Sequence, residues 1–526
     1  LLQDLHERPW MNNITAIFEA IQLLHNPRAS QTSRQAAHQF CESLKEESNT
    51  CFSLAGQLTA SNLPNEVRYF GFQLYEHLIS KKWSSLPEES QNALKDRALQ
   101  IVASCTRHML EEQRYIKEKA VQLVGLIAQR EWPVRWKDLL QNLTQLTAGG
   151  DTQCELALLA LRSIGDGIFD DPVMTDARRN ELLVALNGVY QPIYSFCFQI
   201  LDRNYALWVE ANRSGDVQGA QSRISQLLIT ACLQTFETYT PLSSLQVITE
   251  SGVLPAIRLL LHAERFRDVA TNVLTAVMSK RATKDPGAED TLGLLVQGIL
   301  ESCRARGSGG WCGLLQETDS AFHKRLSVAL AEFGTNHWAT LQGPDPQRAA
   351  TRFGFLELLA SLTGHRALEV SAATLGVWRQ LLEGDQAAAL PDSVHGALLR
   401  AVADKIERPI APAGDETAPD DFSDWEDYLR FWSQAKAKYL EVARRLATAR
   451  PAPSLCFAGM LWQAALFPGG PVPDDEPARS RHDALCSLLD TVMAGLPDAS
   501  LQSGGGGVEA CGELAGLVLQ GLEAGP

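Results

Sequence analysis

Residues 130–140 read REWPVRWKDLL, two tryptophans four apart with a proline directly after the first. Upstream, Ile116, Ala120, Leu123 and Ile127 recur at helical spacing, which predicts an amphipathic helix over 111–130 with Lys117, Lys119 and Gln122 turned outward. Pro133 disfavours helical geometry at Trp132 and suits the first turn of a new helix, where its missing N–H would have no intrahelical partner. A second helix is therefore expected over 133–147. Trp136, Leu139, Leu140, Leu143 and Leu146 form its apolar stripe, and Asp138, Gln141 and Gln145 fall on the opposite face. The stretch is a corner between two helices, and Trp132, Pro133 and Trp136 are expected to fix it structurally, because large aromatics bury area.

Working outward, helical stripes follow one another with short connections and no strand alternation of useful length. Helices are predicted over 31–47, 49–60, 65–82, 88–108, 111–130, 133–147, 151–168 and 177–202. Val67, Phe70, Leu74 and Leu78 make the stripe of the third, and Leu94, Ala98, Ile101 and Cys105 that of the fourth. Neighbours pair as helical hairpins of roughly 40 residues, the size of a HEAT-type repeat. The expected fold class is all-α, a superhelical solenoid of HEAT repeats. Pro- and Gly-rich stretches at 408–420, 467–480 and 503–507 read as loops. After the first comes DDFSDWEDYLRFW, where Asp420, Asp421, Asp424, Glu426 and Asp427 surround Phe422, Trp425 and Phe431. That block reads either as helix capping or as a docking point for a basic partner.

The chain has 526 residues and a net charge of −15, with pI near 5.3, which opposes general coating of nucleic acid. Local basic clusters run against that trend. Lys280, Arg281 and Lys284 lie in MSKRATK, and Lys324 and Arg325 in FHKRL; each reads as a solvated helix end or as a phosphate contact. No apolar run is long enough to cross a bilayer. The eleven cysteines contain no C-x-x-C pair, which suits buried free thiols in a reducing compartment. The histidines show no metal-ligand spacing, and no nucleophile or phosphate-loop motif is present, so neither a catalytic nor a metal site is expected.

Three segments carry a family resemblance. NEVRYFGFQLYEHLISKKW (65–83), YIKEKAVQLVGLIAQREWPVRWKDLL (115–140) and DTQCELALLALRSIGDGIF (151–169) resemble successive N-terminal repeats of the karyopherin-β (importin-β) superfamily, in its exportin branch. DDFSDWEDYLRFWSQAKAKYLEVARRLATARPAPSL (420–455) is similar to an acidic-aromatic block of the exportins that carry RNA. Lys137 stands where relatives often have a second proline, so the helix start is open to a small shift. The resemblance divides the chain into a partly helical lead-in (1–30), importin N-terminal repeats that bind Ran (31–150), exportin-type repeats (151–407), a linker loop (408–420) and further repeats (421–526). Family members are much longer, so a C-terminal part is expected to be missing.

The resemblance implies a nuclear export receptor and no enzyme. It would bind the GTP-bound small GTPase Ran and carry structured RNA, such as microRNA precursors and short double-stranded RNA with a 3′ overhang, from nucleus to cytoplasm. Double-stranded-RNA-binding proteins would be further cargo and nuclear pore proteins further partners. It would need no cofactor, since GTP arrives with Ran. The resemblance places Ran largely on the second helices of the first repeats, on exposed faces opposite the apolar stripes, with Asn92, Asp96 and Gln100 expected on one and Asp138, Gln141 and Gln145 on the next. RNA phosphates are expected at Lys280, Arg281 and Lys284, with Lys324 and Arg325 behind them. The competing expectations are a Ran-regulated import receptor and a HEAT scaffold that never meets Ran.

Overall fold

A computed structural model describes residues 13–46, 48–104, 106–281, 286–304, 320–383, 389–411, 418–419, 422–466 and 475–496. Among the described residues the regular structure is entirely helical, and none of the helices is long and apolar enough to cross a membrane. The chain forms two compact units, Leu1–Val253 and Leu254–Pro526.

The first unit contains α1 (Asn13–His25), α2 (Gln31–Ser43), α3 (Ser48–Leu58), α4 (Asn65–His77), α5 (Glu88–Ser104), α6 (Arg114–Glu131), α7 (Leu139–Leu146), α8 (Asp151–Asp170), α9 (Asp176–Asn187), α10 (Tyr190–Ser214), α11 (Ala220–Tyr239) and α12 (Leu245–Glu250). Consecutive helices pair as α1–α2, α3–α4, α5–α6, α7–α8 and α10–α11, while α4, α6, α8 and α11 lie side by side as one layer. This is the paired-helix architecture of HEAT repeats, as the periodicity predicts. The predicted stripes are buried: Val67, Phe70, Leu74 and Leu78 on one hairpin, Leu94, Ala98 and Ile101 on the next. Cys105 lies outside the described residues.

Two expectations are corrected here. The helix predicted from Pro133 starts only at Leu139. Trp132 is extended (ψ 144°), as a residue before proline prefers, its peptide bond to Pro133 is cis, and the backbone N–H groups of Arg135 and Trp136 both donate to the Glu131 carbonyl. Those bonds turn residues 132–138 instead of propagating a helix. The single helix predicted over 177–202 is two, because the Gly188 N–H folds back onto the Ala185 carbonyl and Val189 leaves helical geometry (φ −127°, ψ 0°) before α10 begins.

The second unit holds most of α13 (Val253–Leu260), then α14 (Glu264–Met278), α15 (Pro286–Cys303), α16 (Ser320–Asn336), α17 (Pro346–Thr363), α18 (Leu368–Ala373), α19 (Leu375–Leu381), α20 (Asp392–Ile406), α21 (Trp425–Ala449), α22 (Pro451–Leu466) and α23 (Glu476–Ala494). One layer runs α15, α17, α20, α22 and the other α14, α16, α18–α19, α21, α23. The predicted 467–480 loop is shorter than expected at its end. The Asp475 carboxylate accepts from the Ala478 N–H, and Pro477 fits the first turn, so α23 starts at Glu476. Asp424 caps α21 in the same way through the Asp427 N–H at 2.8 Å, which supports the capping reading of the acidic block. Phe422 packs on Tyr428 and Phe431 (centroids 4.9 and 5.4 Å). Asp420 and Asp421 lie outside the described residues.

Of the described cysteines, Cys41, Cys51, Cys154, Cys197, Cys232 and Cys303 are buried free thiols, whereas Cys456 is exposed and Cys486 half-buried. Burial pushes Cys41 up to about 11 and Cys51 to about 12, so they behave as inert core residues.

Candidate partner-binding surfaces

The REWPVRW corner is a convergence point of buried polar chemistry. Trp132 and Trp136 are buried, as expected of residues that fix it. Glu131, whose side chain is 1% exposed, accepts from Trp83 Nε1 (3.1 Å) and pairs with Lys95 Nζ (2.9 Å) and Arg135 Nη2 (2.6 Å). One carboxylate therefore joins α5, the end of the α4 hairpin and the corner itself. The first turn of α9 reaches back to the same place. Arg178 donates to the Gln129 carbonyl (2.9 Å), the Trp132 carbonyl and the Glu181 carboxylate (2.6 Å), so α9 is clamped to the C-terminal carbonyls of α6, where the helix dipole favours a cation.

Two further buried pairs stitch successive repeats. Arg68 on α4 forks onto Glu112 (2.8 and 2.6 Å), and Lys117 on α6 binds Glu155 on α8 (3.0 and 2.8 Å) as well as the Met109 carbonyl. Lys117 is thus inside, against the expectation that it faces outward. Helical spacing puts it off the apolar stripe, but α8 packs on that side and brings a carboxylate with it.

Beside the corner, α4, α6 and α8 leave a groove of about 1080 Å³, bounded at one end by residues 171–178. Lys81, Lys119, Arg130, Arg135, Arg162 and Arg178 line it, with Glu118, Asp166 and Asp171 as the carboxylates. Lys119 pairs with Glu76 (2.6 Å) and lies 5.6 Å from the Tyr69 ring, which in turn packs on Tyr115. Arg162 pairs with Asp166 (3.3 Å), and Thr238 of α11 donates to the same carboxylate (2.8 Å). Burial lowers the Arg130 guanidinium below its usual range, against the opposing charge of Asp171.

The predicted residues fall elsewhere. Asn92, Asp96 and Gln100 form one exposed face of α5; Asp138, Gln141 and Gln145 are exposed at and along α7. Against the expectation of second helices, the two sets belong to the first helices of their hairpins, α5 and α7, and do not line the groove, which belongs to the second helices. Asn92 accepts from Lys95 (3.1 Å) and Gln100 from Arg97 (2.8 Å). In the second unit Arg281 is exposed, and Lys280 is half-buried with its ammonium shifted down by that burial. Lys284 lies outside the described residues. Lys324 and Arg325 sit half-buried on α16, where Arg325 is committed to Asp268 of α14 at 2.6 Å. The groove was missed because its residues are spread over more than 100 positions and none forms a local run; the available signal was limited to cations such as Lys119 and Arg162, which lie off the buried positions of α6 and α8.

Residues 37–104 match the importin-beta N-terminal domain, and residues 113–274 match the exportin 1-like protein family. The two matches follow one another in this order along the chain. It is similar to Exportin-5 of Homo sapiens, 24% identical over 503 residues that make up 91% of this chain and 41% of that protein. Exportin-5 of Dictyostelium discoideum is 23% identical over 463 residues (84% and 39%), and Protein HASTY 1 of Arabidopsis thaliana 23% over 378 (69% and 30%). The chain spans about two-fifths of the length of the Exportin-5 relatives.

Proposed function

We propose that this chain is the N-terminal part of a nuclear export receptor that binds GTP-bound Ran with its first unit and contributes part of the binding surface for structured RNA. The observation that carries the reading is the order of its domains, an importin-beta N-terminal domain followed directly by an exportin 1-like region, within similarity to Exportin-5 that continues over 91% of the chain. On this reading the receptor shuttles between nucleus and cytoplasm through nuclear pore proteins, works as a binding protein without catalysis, and has no cofactor of its own. Phosphate and shape recognition suits such cargo, because the deep groove of an A-form helix hides its base edges. Arg281 and Lys280 are the exposed and half-buried cations proposed to meet it.

The test is binding of a short-overhang RNA hairpin by the full-length protein at fixed salt, with Ran loaded with GTP, loaded with GDP, or absent. The expected result is affinity that rises only with GTP-loaded Ran, since the coupling is reciprocal. Cargo released by GTP-loaded Ran would instead make it an import receptor, and indifference to Ran would make it a scaffold. Charge reversal at Asp96 and Asp138, compared with Glu118 on α6, assigns the Ran contact to the first-helix or the second-helix layer.

A further inference from the structure

We propose that Ser423 is the acceptor of a phosphoryl group transferred from ATP by an acid-directed protein kinase, and that the phosphate releases the Phe422 anchor at the start of α21. Such kinases select substrates by charge pattern, reading a carboxylate three residues after the acceptor hydroxyl and gaining from others around it. Ser423 has Asp420 and Asp421 before it and Asp424, Glu426 and Asp427 after it. Six other described Ser or Thr residues have a carboxylate three positions on, and the fold withholds them. Ser43, Thr152, Ser163, Ser480 and Ser487 stand within helices, while Ser85 has Pro87 inside the pattern and donates to the Lys82 carbonyl at 2.7 Å. Ser423 is exposed and precedes its helix, and its hydroxyl donates to Asp427 Oδ2 at a long 3.3 Å. Asp424 beside it is already extended (φ −158°, ψ 175°), and the Glu426 side chain is 87% exposed, so fraying of the first turn of α21 suffices to present the pattern.

In the transfer, Ser423 Oγ forms a bond to the γ-phosphorus of ATP, the bond from that phosphorus to the β,γ-bridging oxygen breaks, ADP leaves, and the hydroxyl proton passes to a base of the kinase. The phosphoserine carries about −1.5 to −2 at pH 7 and can no longer donate to Asp427. The dipole of α21 favours an anion at this end, but Asp424, Glu426 and Asp427 already stand there, with Arg430 paired to the last two at 3.4 and 3.8 Å. Like-charge repulsion therefore turns the phosphate away from Asp427. Phe422 is the preceding residue. Its ring packs on Tyr428 and Phe431 in a half-buried cluster that Trp425 joins through Tyr428 at 5.2 Å, and rotation at Ser423 draws that ring out. The proposal concerns the chain alone and does not rest on the export reading.

The experiment incubates the full chain with ATP and an acid-directed serine/threonine kinase, beside a base-directed one, and maps the phosphate by mass spectrometry. The expected result is about one phosphate per chain, on Ser423, from the acid-directed kinase alone, with loss of that phosphate in Ser423→Ala and a rate about tenfold lower in Glu426→Lys. Both substituted residues are exposed, so their melting curves should match the parent. Hydrogen exchange of the modified chain should quicken over residues 422–431 and stay unchanged over α14 and α16. The proposal is overturned if Ser423 stays unmodified, if the base-directed kinase modifies it equally, if Glu426→Lys reacts as fast as the parent, or if the phosphate leaves exchange over 422–431 unchanged.

Discussion

Removing the carboxylate of Glu112 should be among the most damaging single changes to the first unit. Its side chain and that of Arg68 are both 0% exposed, and they meet fork to fork at 2.8 and 2.6 Å. Glu112 also accepts the Arg107 N–H at 2.9 Å. Burial alone would raise this carboxyl, but the Arg68 fork, the Arg107 N–H and the two positive charges outweigh burial and hold it below the usual carboxylate range. Glu112→Ala leaves a guanidinium buried without its counter-charge, which costs about 3–5 kcal/mol. At about 2–4 °C per kcal/mol for a unit of this size, the melting temperature should fall by on the order of 6–20 °C. Replacing both partners by apolar residues, Arg68→Met with Glu112→Leu, removes the stranded charge and leaves the Arg107 N–H as the main loss, about 1–3 kcal/mol. The double variant should therefore melt above the single one. Calorimetry of the full chain measures both, with hydrogen exchange locating the loss to α4 and α6. The reasoning fails if Glu112→Ala stays within about 1 kcal/mol of the parent, or if the double variant is no better. The sign with pH follows: a depressed folded pKa gives stability that is full above the ordinary carboxylate value of 4.5 and is lost as pH falls through the folded pKa, and Glu112→Ala should flatten that limb.

Other expectations are simpler to check. Gly125→Ala would set a Cβ 2.4 Å from Ser163 Oγ and 2.9 Å from the Ser163 carbonyl, so α6 and α8 must separate and thermal melting should drop by several degrees, whereas Gly293→Ala, which meets nothing, should be neutral or stabilising. Burial, reinforced by neighbouring cations, holds His365 and His395 down at about 4. They contribute stability that is full above the ordinary histidine value of 6.5 and is lost as pH falls toward 4; His395→Gln should shrink the fall seen in denaturant titrations over that window. Arg325→Met, at a partly exposed pair with Asp268, should change stability by on the order of 1 kcal/mol in urea unfolding.

Much of the architecture is legible in the sequence for a physical reason. Apolar spacing such as Val67, Phe70, Leu74 and Leu78 is a one-dimensional record of which helix face is buried, and the Trp132–Pro133–Trp136 corner is a local chemical signal that a helix must stop there. Ends are less legible, because they depend on which carbonyl a particular N–H finds: Arg135 and Trp136 both choose Glu131, and α7 therefore starts six residues after Pro133.

What the sequence determined by itself was the helical class, the pairing of helices, the apolar stripes and the family to which its motifs point. Only the tertiary structure decided which face of the charged residues looks inward and which helix layer they join. Lys117 reads as solvated and is buried on Glu155; Asp96 and Asp138 read as candidates on successive second helices, but both belong to first helices, away from a groove that Lys119 and Arg162 help build from the second. Periodicity along one helix reports burial against the nearest neighbours, but it carries no record of the carboxylate some 40 residues away that makes a buried lysine affordable, nor of the cations that alternate helices bring together across a layer.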